Sequence, residues 1–152
     1  MTTLPDPAAS RLETISATAI PIGLETPFDL RDQQWQHRVL LVFAPSQQSP
    51  DYQQQMQQWQ NQAAGLQERD LKLVEILATG TSRVDGQSMT VASAEQLRTQ
   101  FEIAAADFAV ILVGKDGTEK QRSLVPVEIA DIFSTIDAMP MRQQEMRSQQ
   151  GQ

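Results

Sequence analysis

Two stretches of the chain are apolar without interruption. Val39-Leu-Leu-Val-Phe-Ala44 and Phe108-Ala-Val-Ile-Leu-Val113 carry no charge, the pattern of strands buried on both faces. Leu71 to Leu77 predicts another strand. After Val113, Gly114-Lys-Asp-Gly117 reverses the chain, because Asp-Gly is a turn pair that tolerates positive φ. Thr118 to Arg122 then alternates charged and uncharged positions, as expected near a sheet edge. Phe108 to Arg122 therefore reads as a hairpin.

Between the strands the apolar period changes to that of a helix. Ser49-Pro50-Asp51 supplies a cap, a proline for the first helical position and an acid for the positive dipole end. Tyr52, Met56, Trp59, Ala63 and Leu66 follow at helical spacing and leave the glutamines on the other, solvated face. Ala78 to Thr90, with Gly80 and Gly86, reads as a long loop. Ser93-Ala-Glu-Gln96 resembles a capping box opening a short helix whose Leu97 and Phe101 face inward. Pro126 starts a final helix with a buried stripe of Ile129, Ile132, Phe133 and Ile136. Ahead of the first strand, Phe28 to His37 holds one helical turn anchored on the core by Trp35.

The order is strand-helix-strand, helix, strand-strand-helix. Its first unit is a right-handed parallel crossover and its hairpin is antiparallel. A four-stranded mixed sheet (β-α-β-α-β-β-α) with helices on both faces covers two fully apolar strands economically. That is an α/β, thioredoxin-like arrangement. Residues 1–27 hold four prolines and no sustained periodicity, so they read as a flexible arm, with Ile20, Ile22 and Leu24 alternating as in a short edge strand. The domain spans 28–147, and 148–152 reads as a disordered end.

Composition narrows the chemistry. A formal charge of -7 over 152 residues disfavours nucleic acid, whose phosphates need a basic surface. With no cysteine, disulfides, thiolate nucleophiles and zinc-thiolate sites are excluded. The start lacks the basic and apolar runs of a signal peptide, and no stretch approaches the roughly 20 apolar residues of a membrane helix. A soluble, cytoplasmic protein is expected, with no cofactor and no metal, because no carboxylate-histidine cluster has ligand spacing.

Four separated segments occur together: Arg38-Val-Leu-Leu-Val-Phe-Ala-Pro-Ser46; Glu68-Arg-Asp-Leu71; Gly114-Lys-Asp-Gly117 with Lys120 and Arg122; and Ile136-Asp-Ala-Met-Pro-Met-Arg142. In this order the chain resembles domain-of-unknown-function family 4174, from about Asp29 to Arg147. The resemblance implies a fold similar to peroxiredoxin and thioredoxin. Related domains occur in animal extracellular-matrix and sushi-repeat proteins, where adhesion roles are discussed, and bacterial members carry no assigned activity. Redox-active proteins of this fold place a cysteine in the loop after the first strand, which here is Pro45-Ser-Gln-Gln-Ser-Pro50. A serine there, Ser46 or Ser49, cannot exchange disulfides. The cis-proline expected before the third strand is replaced by Ala105-Ala106-Asp107.

Candidate binding residues are Lys115, Asp116, Lys120, Arg122, Arg142 and Ser46; none is assigned to catalysis. Gly114-Lys-Asp-Gly117 does not match a phosphate loop, since no Ser or Thr follows the lysine and a strand follows the turn. Lys115, Lys120 and Arg122 with Arg142 form either a cationic cluster for a carboxylate or phosphate or a set of solvated edge charges. His37, the only histidine, can be written into a set with Ser46 and Asp32, but no spacing supports it. The segment Asp137 to Arg147, with three methionines near Pro140, is either an adaptable contact surface or a frayed end. The expectation is a non-redox interaction module, monomeric or weakly oligomeric. Its protein partner meets the hairpin edge and the Met139-Met146 tail. The alternative is an enzyme or small-anion binder using the loop at Ser46.

Overall fold

Seven consecutive residues, Arg38–Ala44, form β1, and all of them are buried. In the computed structural model, which describes residues 25–150, β1 runs parallel to β2 (Leu71–Leu77) and antiparallel to β5 (Ala109–Val113). β5 continues through the predicted hairpin into β6 (Glu119–Ser123), an edge strand. The Gly114 and Gly117 amides close the turn on Thr118 and Gly114 carbonyls, and Gly117 takes φ 84°. This is a type I turn with a left-handed glycine.

The sheet has six strands, in the order β4-β3-β2-β1-β5-β6, and not the four expected. The added pair, β3 (Arg83–Val84) and β4 (Gln87–Ser88), lies in the segment predicted as loop. Asp85 and Gly86 join them with φ of 49° and 86°, the two left-handed residues a type I′ hairpin turn requires. Two-residue strands show no alternation, so hydrophobic patterning passes over them. Within the predicted arm, Thr26 bridges in parallel to Met89. The Ile20, Ile22, Leu24 alternation and the last two positions lie outside the described residues.

Alternation along β1 builds a core on each face. Val39, Leu41 and Phe43 join Leu97, Phe101 and their neighbours on one side. Leu40, Val42 and Ala44 join Tyr52, Trp59, Ile132 and Ile136 on the other. Helices therefore cover both faces, as the uninterrupted apolar strands demand.

The helices begin near the predicted places, with four corrections. α1 (Pro50–Trp59) is capped by Ser49, whose hydroxyl accepts the Tyr52 amide. The chain then breaks at Asn61, a residue type that tolerates the φ of 66° found there. It resumes as the separate α2 (Ala63–Glu68), with Ala63 exposed. Gln55 is not on a solvated face: it is fully buried, and its amide donates to the Val127 carbonyl (2.8 Å) and accepts the Val127 amide (2.7 Å). α3 (Val91–Phe101) is capped by Thr90, one turn before the predicted box, while Ser93 is buried and accepts the Phe28 amide. The last predicted helix is two: α4 (Ile129–Asp137), with Pro126 in the loop before it, and α5 (Pro140–Gln150). α5 carries Met141 and Met146 and runs to Gln150, with Met139 at the junction between the two helices.

The turn before β1 also differs. Leu30–Gln33 forms a 3-10 turn, but Phe28 and Leu30 fasten it to the core, and Trp35 is 61% exposed.

Candidate functional site

Eight charged residues converge at one end of the sheet. Because β1 and β2 are parallel and β5 is antiparallel to β1, Arg38 at the start of β1, Asp70 just before β2 and Lys115 just after β5 lie together. Arg38 is fully buried and Lys115 is 8% exposed. Glu145, from α5, joins them: Arg38 donates to its two oxygens at 3.3 and 3.2 Å, and Lys115 Nζ donates at 2.8 Å. Lys115 also holds Asp70 at 2.8 Å.

The network extends behind this point. Arg142, 1% exposed, donates to Asp137 at 3.0 Å and Glu68 at 2.7 Å and lies 3.8 Å from Glu145. Arg69 also pairs with Asp137 at 3.0 Å and stacks over the Phe133 ring at 3.9 Å. Why cations here is clear from α2, whose C-terminal carbonyls point into the cluster. The Glu68 carbonyl accepts from Arg142 and the Arg69 carbonyl accepts from Arg38, so two guanidinium groups satisfy the negative end of a helix. Four cations (Arg38, Arg69, Lys115, Arg142) face four carboxylates (Glu68, Asp70, Asp137, Glu145). Burial alone would raise the Glu145 carboxyl, but bonds from Lys115 and Arg38 outweigh it and hold it below the ordinary value. Asp137 is lowered in the same way, burial being overcome by Arg69 and Arg142.

A groove of about 390 Å³ opens beside this network, lined by Trp35, Arg38, Lys115, Lys120, Met139 and Met141 among others. Trp35 forms one lip. Its backbone takes φ 70° and its amide donates to the Lys115 carbonyl at 2.6 Å. A bulky residue in the left-handed region is strained, and here the strain presents an indole to solvent. Met141, 37% exposed, forms part of the same apolar lining.

The predicted residues divide accordingly. Lys115, Asp116 and Lys120 line the groove, and Arg142 joins Lys115 through Glu145. Lys120 bonds Asp116 at 2.8 Å and, with the Thr118 amide, holds that carboxyl down to about 2. Arg122 stands apart on β6, paired with Glu119 and donating to the Phe101 carbonyl. Ser46 lies at the opposite end of β1, and its hydroxyl accepts the Gln48 amide. His37 precedes β1 while Ser46 follows it, so at about 3.3 Å per residue the length of β1 alone, roughly 20 Å, lies between them and no triad forms. Burial, then Lys72, lowers the His37 pKa. Among the described residues no group of three or more His, Cys, Asp or Glu is placed to hold a metal, and no helix is long and apolar enough to cross a membrane. Arg38, Glu145 and Trp35 carry this site without having been assigned to it; Arg38 opens a recognised segment, but a charge ahead of an apolar run reads as a strand start.

The fold and site define a thioredoxin-like domain that has no thiol and gathers its charges away from the loop where that fold does its chemistry. It is similar to Plasmodium vivax 2-Cys peroxiredoxin, with a TM-score of 0.61 at 11% identity, covering 77% of this chain and 72% of that one. The mitochondrial 2-Cys peroxiredoxin of Plasmodium falciparum gives 0.56 at 12% identity, covering 73% and 80%. The chain belongs to the family described as Domain of unknown function (DUF4174), whose model matches residues 29–145. Sushi repeat-containing protein SRPX of Homo sapiens is 31% identical over 137 residues, 88% of this chain and 30% of that protein. Coiled-coil domain-containing protein 80 of Danio rerio is 29% identical over 132 residues, 76% of this chain and 15% of that protein. The chain thus spans less than a third of these relatives.

Proposed function

We propose that this domain is a non-redox protein-interaction module whose contact surface is the groove between Trp35 and Met141. The observation that carries the reading is Trp35, an exposed indole held on strained backbone at the lip of a groove. Indoles concentrate binding energy at protein contacts, and at 61% exposure this one buries little of its area within the fold. Met139 and Met141 supply adaptable apolar walls. Relatives in which the domain is a minor part of a longer chain are consistent with a module that connects. The Ser46 alternative has less support, since the hydroxyl is engaged in its own turn and the charged groups lie at the other end of β1.

Selection from a phage-displayed random peptide library against the folded domain tests this, with a Trp35→Gly domain as counter-bait. Peptides retained by the wild type and lost on the variant are expected. Absence of any Trp35-dependent peptide would remove the groove as a protein contact.

A further inference from the structure

Glu145 sits in the network as a ligand sits in a carboxylate site. One oxygen bonds Arg38, and the other bonds both Arg38 and Lys115, at distances from 2.8 to 3.3 Å. This fork-on-carboxylate geometry with an added ammonium is the arrangement used to recognise acidic groups. Its two cations also line the groove, together with Lys120, against a single lining carboxylate, Asp116. In a chain of net charge -7, these three cations face the groove, while two of the carboxylates that neutralise them, Asp70 and Glu145, lie outside its lining. Moreover, Arg38 Nε is buried and has no hydrogen-bond partner, and a guanidinium with an open donor is costly to bury. Glu145 itself is reachable, 23% exposed, on a helix otherwise rich in glutamine.

We infer that the groove recognises an acidic-apolar peptide segment, whose carboxylate competes with Glu145 for Lys115 and Arg38 while its neighbouring apolar side chain packs between Trp35 and Met141. Glu145 is then an internal stand-in for the partner's acid, and α5 is the element that gives way. The inference rests on the groove being a protein contact, as proposed above, and adds the chemistry of what it binds.

The enriched peptides of the selection above are the probes. Each is synthesised as found and with every Asp and Glu replaced by Asn and Gln, and both forms are titrated calorimetrically into the wild-type domain. The inference expects an acid beside an apolar residue in the enriched set and a loss of about tenfold or more on amide replacement. A Glu145→Gln domain, lacking the internal competitor, is expected to bind the acidic form about threefold more tightly. Trp35-dependent peptides without an acid, or with less than about twofold loss on replacement, would overturn the acid specificity and leave the groove reading standing. No Trp35-dependent peptide at all would overturn both. The comparison of acid with amide uses only the wild-type domain, so it holds even if Glu145→Gln loosens α5.

Discussion

Arg38, the first residue of β1, and Glu145, on the last helix, lie 107 positions apart and share two hydrogen bonds at 3.3 and 3.2 Å. With Arg142, they attach a strongly polar helix to the end of the sheet by charge more than by apolar area. Removing the guanidinium leaves the Glu145 carboxylate with Lys115 as its close partner and takes the donor from the Arg69 carbonyl. Arg38→Ala is therefore expected to destabilise the domain by about 3 kcal/mol or more. Arg38→Met combined with Glu145→Leu should lose less than the sum of the Arg38→Met and Glu145→Leu single variants, giving a coupling of roughly 1–3 kcal/mol in a double-mutant cycle. Urea denaturation measures both. Strict additivity would mean that α5 is held by other contacts.

Acid should loosen the same attachment. The Glu145 and Asp137 carboxyls are held below their ordinary values of 4.5 and 3.8. Groups with depressed folded pKa contribute stability that is fully present above the unfolded value and is lost as pH falls through the folded one. Stability is thus expected to be level from neutral pH down to the ordinary carboxyl range and to decline below it. Denaturation midpoints across that range, compared with Glu145→Gln, check the assignment. The variant lacks one of the two groups and should show a shallower decline.

Trp35 offers a separation of binding from stability. Its φ of 70° strains a large side chain and suits glycine. Trp35→Gly relieves that strain at an exposed position, so the thermal midpoint should hold or rise, by up to about 1 kcal/mol in stability. A substantial fall in stability would instead identify Trp35 as a packing residue and weaken its role as a binding lip. Peptide capture, in contrast, should be lost.

Four of the six strands were readable in chain order, β1 and β5 because burial on both faces leaves an unbroken apolar signature, as in Val39 to Ala44 and Phe108 to Val113. The hairpin at Asp116-Gly117 was readable from turn chemistry. Asp85-Gly86 carried the same signal, but without apolar flanks it did not register as a hairpin. The site was harder to read for a physical reason. Arg38, Asp70, Lys115 and Glu145 meet only because parallel pairing of β1 with β2 aligns their starts and because α5 folds back across them. No local spacing encodes that meeting. Arg142 and Lys115 were singled out as cations of one cluster, yet the carboxylates that neutralise them come from the Glu68–Asp70 turn, the end of α4 and α5 itself. Trp35 reads as core by residue type, and only its backbone reveals otherwise.

Gln55 exposes the remaining blind spot, a polar residue buried inside a run of exposed ones. Its amide group satisfies both backbone groups of Val127 in the approach to α4. Gln55→Leu keeps the volume but orphans a part-buried donor and acceptor, so a loss of about 1–2 kcal/mol is expected. Gln55→Glu distinguishes hydrogen bonding from packing. The ionised carboxylate still accepts the Val127 amide but meets the Val127 carbonyl with a lone pair, and burial disfavours its charge. Protonation restores a donor. The Glu variant should therefore be clearly less stable than wild type near neutral pH and regain part of the difference as the solution is acidified, while the Leu variant's deficit stays constant. Equal pH dependence for the two variants would assign Gln55 to volume filling alone.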